Sequence, residues 1–158
     1  MDDDVLKELN VPWMTKDGLL DLAKFPIDSI LRQAVGNNAE QFRSACTLLS
    51  VMYSSGQTEA GVFLLGLLKF CGNDMVKKAQ VVDALKQVPS RQAADLLFEE
   101  LKLTESSNSS RGYVNAILKT LQAFPRRIVE EGFQRLRSDS RWSYKMKRKF
   151  WEILEKLA

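Results

Sequence analysis

The sequence predicts an all-α protein, a right-handed α-α superhelix of about four antiparallel helix pairs with capping helices at both ends. Three observations indicate this fold class. Apolar residues recur at spacings of three and four, which is the period of an amphipathic helix. A helix-ending pattern recurs along the chain, and each copy closes on a proline or a glycine. The helices between these points are too short to bury their apolar faces alone, so neighbouring pairs must stack.

The repeated pattern is visible when short segments are laid over one another. Leu19–Pro26, Val82–Pro89 and Leu118–Pro125 each place apolar residues three positions apart before a proline. A fourth copy, Leu49–Gly56, ends in glycine, which can take the left-handed conformation past a helix end. The corners are Pro26, Gly56, Pro89 and Pro125, at intervals of 30, 33 and 36 residues.

Proline suits a corner between two helices for two reasons. Its ring disfavours α geometry at the preceding residue, which ends one helix. Its missing N–H would be unsatisfied at the first helical position anyway, which favours the start of the next. We therefore expect one domain, residues 1–158, with a polar, Ser-rich linker before its fourth unit. The predicted units are residues 15–36, 38–71, 73–103 and 109–138.

Capping elements are expected at both ends, because the terminal faces of a stack would otherwise expose its core. Residues 2–10 predict a short acidic helix and residues 140–157 a C-terminal capping helix. Within the latter, Tyr144 and Trp151 lie off the apolar stripe and are expected to be exposed. The stripe consists of Trp142, Met146, Phe150, Ile153 and Leu157. Residues 62–70, in the second unit, are apolar on nearly all sides of the predicted helix. This pattern predicts a helix in the interior of the stack.

The third unit carries a family resemblance. Asp74, Val76, Ala79 and the pair Ala84-Leu85 resemble the first helix of HEAT repeats, in particular the short bacterial form in phycobilin lyase subunits. Lys77 stands where that pattern has arginine. The fourth unit keeps the pattern loosely, in Arg111, Val114, Ala116 and Leu118. The resemblance covers residues 15 to 138 and implies a HEAT-like solenoid. Such solenoids commonly act as scaffolds or adaptors for protein partners, or handle a chromophore.

The ends and the hydropathy of the chain bear on where it works. The first four residues, Met1 to Asp4, are acidic where a secretory leader would be basic. The longest apolar run, Ala60 to Leu68, is far shorter than the roughly 20 residues that span a bilayer. We therefore expect a cytoplasmic, soluble protein without a membrane partner.

The composition argues against most kinds of catalytic site. The sequence has no histidine, so the commonest general base, nucleophile partner and metal ligand are missing. Cys46 and Cys71 stand in apolar stretches without metal-ligand spacing, which is typical of buried free thiols. The acidic pairs Glu99–Glu100 and Glu130–Glu131 point about 100° apart on a helix, which favours solvated faces over an acid and base. We expect no enzymatic activity, no cofactor, no metal and no small-molecule substrate.

Charge is the strongest functional signal. Residues 1–108 have a net charge of −4 and residues 109–158 a net charge of +7. Three interpretations stay open: a plain solvated face, a protein or peptide docking site, and contacts to nucleic acid in the manner of HEAT-like DNA repair proteins. We expect a noncatalytic protein-interaction module, with nucleic-acid binding as the alternative. The candidate partner-binding residues are Arg126, Arg127, Arg135, Arg137, Arg141, Tyr144, Lys145, Arg148, Lys149 and Trp151.

Overall fold

The structure is a computed structural model that describes residues 19, 21, 24, 26–105 and 107–157. Over this part of the chain the regular elements are helices, so the all-α prediction is confirmed there. The helices are α1 (Ile27–Ala34), α2 (Ala39–Ser54), α3 (Glu59–Phe70), α4 (Met75–Ala84), a 3-10 turn (Leu85–Gln87), α5 (Arg91–Leu103), α6 (Arg111–Ala123), α7 (Arg126–Ser138) and α8 (Tyr144–Lys156). The predicted acidic helix at residues 2–10 lies outside the described residues.

The chain divides into two compact units, residues 1–72 and 73–158. In the first unit α2 packs against both α1 and α3. Asn38 begins α2, because its side-chain Oδ1 accepts a hydrogen bond from the Gln41 amide at 3.0 Å. The core of this unit is made by side chains with almost no solvent exposure, including Phe42, Leu49, Met52, Leu64 and Leu68. The predicted division into four repeat units within one domain stays a prediction.

Glycine ends α2 as the sequence predicts. Gly56 has a φ of 109°, in the region that side chains other than glycine rarely adopt. Its amide donates to the Tyr53 carbonyl at 3.1 Å, and the Gln57 amide donates to the Met52 carbonyl at 3.0 Å. These two bonds form a Schellman motif, which satisfies carbonyls at the helix end. The turn lets α3 fold back on α2.

The prediction that residues 62–70 form an interior helix is wrong. One face of α3 is buried through Ala60, Leu64 and Leu68, but Val62 and Phe70 are 68% and 63% exposed. The composition of this helix is apolar on both sides, so periodicity could not distinguish the buried side from the exposed one. The exposed side carries the apolar residues Val62, Phe63 and Phe70.

The second unit packs its helices alternately. α4 packs against α6, and α5 packs against α7, while α5 also touches α6 and α7 also touches α8. Thr120 of α6 strengthens the first pairing, because its hydroxyl donates to the Val82 carbonyl of α4 at 3.0 Å in a buried position. Both α4 and α5 therefore contact the next helix but one along the chain.

Proline marks the corners of this unit with one difference from the prediction. Pro125 directly precedes α7, as expected, and α6 ends two residues before it. Pro89 instead lies two residues before α5, whose N-terminus is capped by Ser90 through a 3.1 Å bond from the Ala93 amide. The helix before Pro89 ends in the 3-10 turn, and Val88, the residue that precedes the proline, has left α geometry as proline favours.

A buried ion pair joins three helices of the second unit. Lys78 Nζ of α4 lies 2.8 Å from Glu100 Oε2 of α5, and both side chains are nearly buried. The Tyr113 hydroxyl of α6 donates to the same carboxylate oxygen at 2.7 Å. Lys78 Nζ also lies 5.2 Å from the centre of the Tyr113 ring, within range of a cation–π contact. The prediction of a solvated Glu99–Glu100 face is therefore wrong for Glu100.

An aromatic cluster holds α5, α7 and α8 together. The rings of Phe98 and Phe133 meet edge to face at 5.3 Å, and Phe150 contacts both Phe133 at 6.4 Å and Trp142 at 5.4 Å. Most of the predicted stripe of the last helix is buried, with Met146 at its half-exposed margin. Trp142 belongs to the turn before α8, which begins at Tyr144 behind a Ser143 cap.

Gly132 allows α7 to approach α5 closely. A Cβ atom at this position would lie 2.1 Å from the Phe98 ring, which also packs edge to face on Phe133. We predict that Gly132→Ala lowers the free energy of unfolding by about 1–3 kcal/mol through overpacking. Gly112→Ala is the matched control, since a Cβ there meets nothing within 4 Å. Urea unfolding measures both, and equal stability of the two variants would contradict this packing.

Candidate cleft between α6 and α8

A cavity of about 920 Å³ opens between the N-terminal end of α6 and the exposed side of α8, within the second unit. Its walls come from the turn before α6, from the first turns of α6 and from one face of α8. The lining residues are Ser107, Asn108, Ser110, Arg111, Val114, Asn115, Trp142, Lys145, Met146, Arg148, Lys149 and Glu152. We call this cavity the α6–α8 cleft.

The turn before α6 is held by its own serines. The Ser110 hydroxyl donates to the Glu105 carbonyl at 2.6 Å, and the Ser107 amide donates to Ser110 Oγ at 3.0 Å. This segment is the predicted Ser-rich linker, and its hydrogen bonds make it a formed wall of the cleft. The Ser110 side chain is used within the turn and does not cap α6. The first amides of α6 therefore receive no side-chain acceptor from their N-cap residue.

The base of the cleft is apolar. Val114, Trp142 and Met146 line it, and the Trp142 indole is anchored edge to face on Phe150. The indole Nε1 of Trp142 is buried and donates to no acceptor among the described residues. Trp142 also lines a smaller cavity of about 220 Å³ together with Arg141. A buried indole N–H usually finds a partner, so this donor is an exception within the fold.

The rim of the cleft is cationic. Lys145, Arg148 and Lys149 follow one another at helical spacing on α8, and Arg111 faces them from α6. Lys149 Nζ donates to the Asn115 side chain at 3.0 Å, which ties α8 to α6 across the cleft. Arg148 lies 3.3 Å from Glu152, whereas no ion pair is recorded for Lys145 within the described ranges. The four cations and one carboxylate give the lining a net charge of about +3.

Most other candidate cations already have a partner on their own segment. The partners are Glu130 for Arg126, Glu131 for Arg135 and Asp139 for Arg141. Arg137 lies over the Trp151 ring at 3.9 Å. The hydrogen bond from Arg126 lowers the pKa of Glu130, which keeps that carboxylate charged. These local pairs reduce the positive field that the sequence indicates.

The structure brings together only part of the predicted site. Lys145, Arg148 and Lys149 line the cleft, and Tyr144 and Trp151 are exposed as the stripe predicts, 84% and 44% respectively. The remaining candidates lie outside the cleft. They are Arg126, Arg127, Arg135, Arg137, Arg141, Tyr144 and Trp151.

Several lining residues were not among the candidates. Arg111 and Val114 appeared in the sequence only as members of a repeat pattern, and Trp142 and Met146 only as a core stripe. A signal for Arg111 was present, because it directly follows the Ser-rich segment at the start of a helix. No sequence signal shows that Trp142 lies between core and cleft, since that depends on how α8 packs.

Cys46 lies outside the cleft, buried in the first unit. Burial raises the pKa of Cys46 to about 12, with Cys71 nearby as the smaller cause, so Cys46 is a protonated thiol at neutral pH. In the part of the chain that the structure describes, no group of three or more metal-binding side chains comes together. Among the same residues no helix is both long and apolar enough to cross a membrane.

Comparisons with protein-family models, with curated proteins and with solved structures found no match for this chain.

The Asp139–Arg141 pair makes a pH-dependent prediction. Hydrogen bonds from the Arg141 side chain and backbone lower the pKa of Asp139 from 3.8 to about 2. Because the pKa is lowered in the folded state, the pair favours folding above about pH 4, and this contribution is lost as the pH falls through about 2. We predict that Arg141→Gln raises the pKa of Asp139 toward 3.8, as measured by NMR titration of its carboxyl carbon. A pKa that stays near 2 would show that Arg141 is not the cause.

Proposed function

We propose that this chain is a noncatalytic protein-interaction module that docks an acidic segment of a partner protein in the α6–α8 cleft. The α6–α8 cleft carries the proposal, because its apolar base of Val114, Trp142 and Met146 lies beneath a cationic rim. An apolar pocket with a charged rim is the arrangement that protein interfaces use for an anchor side chain and its flanking charges.

The scaffold that we propose for this module is a HEAT-like stack. The alternate packing of α4 with α6 and of α5 with α7 supports it, since each resembles the contact between equivalent helices of neighbouring repeats. The corners at Gly56 and Pro125 support the helix-pair division of the sequence. In such a stack each unit packs on the previous one in the same way. The capping helix α8 ends this series, and the cleft lies where α8 packs on the last unit.

Two observations favour an acidic peptide over a nucleic-acid backbone. Two of the four exposed arginines of α7, Arg126 and Arg135, are paired with Glu130 and Glu131, which interrupts the continuous cationic stripe that phosphates along a duplex would require. Trp151 is covered on one face by Arg137, which removes one stacking surface for a base. The α6–α8 cleft instead places the cations Arg111, Lys145 and Lys149 beside a concave apolar pocket.

Charge reversal at the rim tests this function. The probe is a short fluorescein-labelled peptide in which leucine is flanked by glutamates, and binding is followed by anisotropy. We predict that the double variant Lys145→Glu with Lys149→Glu weakens binding by about tenfold or more, since two favourable charge contacts become repulsive. The same peptide with arginine in place of glutamate should not bind.

Arg127→Glu combined with Lys119→Glu is the matched control, because both residues are exposed and lie outside the cleft. Their reversal changes the net charge by the same amount and should alter binding far less. Equal losses of affinity in the two double variants would show that the peptide responds to the overall charge of the protein and does not bind in the cleft. Tighter binding of a labelled DNA duplex than of the peptide at matched salt would favour nucleic acid and contradict the proposal.

A further inference from the structure

The exposed face of α3 is apolar in the middle and charged at its ends. Its apolar side chains are exposed, with Val62 at 68%, Phe63 at 37% and Phe70, the last residue of the helix, at 63%. The residues that share this face are Glu59, Val62, Phe63, Gly66, Lys69 and Phe70. Their spacing follows the helical period, so they form one continuous strip along the helix. We call it the α3 strip.

Gly66 lies at the middle of the α3 strip without a packing reason inside the described chain. A Cβ atom added to it would meet nothing within 4 Å. Glycine in a helix interior costs about 1 kcal/mol relative to alanine, so the position is unfavourable for the isolated helix. A missing side chain between Phe63 and Phe70 leaves a shallow hole where another backbone or side chain can approach closely.

We propose that the α3 strip is a homodimer interface, in which α3 of a second copy packs antiparallel against it. In this arrangement the two-fold axis crosses the strip midway between positions 63 and 66. With a rise of about 1.5 Å per residue, Phe63 then stands level with Gly66 of the second copy, and Gly66 with its Phe63. Each ring fills the hole that the other helix leaves, so the surface is complementary to itself.

The charges at the ends of the α3 strip select the antiparallel direction. No ion pair is recorded for Glu59 or Lys69 within residues 26–105 and 107–157. About the same two-fold axis, Glu59 lies within about 1.5 Å of the axial level of Lys69 in the second copy, which gives two equivalent ion pairs. A parallel pair in register would instead place like charges together and be disfavoured.

The size of the α3 strip determines the expected affinity of the dimer. One pair of three-turn helices buries less than the roughly 1,200 Å² of a standard stable interface, so the dimer should be weak and concentration-dependent. The strip belongs to the first unit and shares no residue with the α6–α8 cleft, so the two proposals rest on different residues.

Sedimentation equilibrium of the full chain from about 1 μM to about 1 mM tests the dimer. The unchanged protein should shift from monomer to dimer across this range. Gly66→Gln should stay monomeric, because its side chain fills the hole, while its thermal stability is kept or increased by the better helix propensity of glutamine. Loss of the dimer in this variant therefore cannot be ascribed to unfolding. Leu103→Gln removes a 76% exposed apolar side chain elsewhere and should dimerise as the unchanged protein does.

Charge exchange tests the direction of packing. Glu59→Lys alone should weaken the dimer, and Glu59→Lys combined with Lys69→Glu should restore it, because the two ion pairs re-form with reversed sign. A dimer that persists in Gly66→Gln, or an unchanged protein that stays monomeric throughout the range, would overturn the proposal. Failure of the double variant to recover would overturn the antiparallel arrangement. A monomer that still binds the acidic peptide would leave the docking function intact.

Discussion

Three helices of the second unit meet at one buried carboxylate, because Glu100 of α5 forms an ion pair with Lys78 of α4 and accepts a hydrogen bond from Tyr113 of α6. A charge in this position is costly unless it is paired and hydrogen-bonded. The requirement fixes the rotation of all three helices, since turning any of them would remove a partner from the carboxylate. Such a pair adds little net stability compared with apolar residues of the same size, and its main effect is to select one packing among several.

The position of the α6–α8 cleft follows from this constraint. α6 packs against α4 and α5, and the turn at Ser107–Ser110 directly precedes α6. This turn forms one wall of the cleft. The other wall depends on α8, which is anchored through Phe150 and Trp142 to the aromatic cluster. Lys149 then joins the two walls through Asn115. The cleft is thus a consequence of core packing on both sides, with its charge supplied by the outward face of α8.

The sequence predicts the features of this protein that depend on local chemistry. Gly56 ends a helix because only glycine readily takes that backbone conformation, and Pro125 precedes a helix because its ring fits there. The burial of Phe150 and Ile153 follows from helical spacing alone. These three features can be predicted without knowing which helices become neighbours. The all-α class can be predicted for the same reason.

The remaining features depend on contacts between distant parts of the chain. Glu100 resembles any surface glutamate until Lys78 and Tyr113 are brought beside it, and Gly132 shows no special spacing until Phe98 packs on it. Charge alone marks the candidate arginines in the sequence, but pairing such as that of Arg126 with Glu130 depends on side-chain geometry. The sequence predicts Trp142 and Met146 only as core residues for the same reason, since spacing cannot show which part of a buried stripe borders a cavity.

The most direct test of this account is a double-mutant cycle at the buried pair, with the free energy of unfolding measured in urea. Lys78→Met leaves the Glu100 carboxylate buried without its cation, and Glu100→Leu leaves the Lys78 ammonium without its anion. We expect each single substitution to cost about 3–5 kcal/mol, whereas the double variant should lie close to the unchanged protein. Amide hydrogen exchange in the first turns of α6 should nevertheless be faster in the double variant, because Tyr113 has lost its acceptor. Two small and additive losses, with unchanged exchange in α6, would show that the pair does not fix the helices.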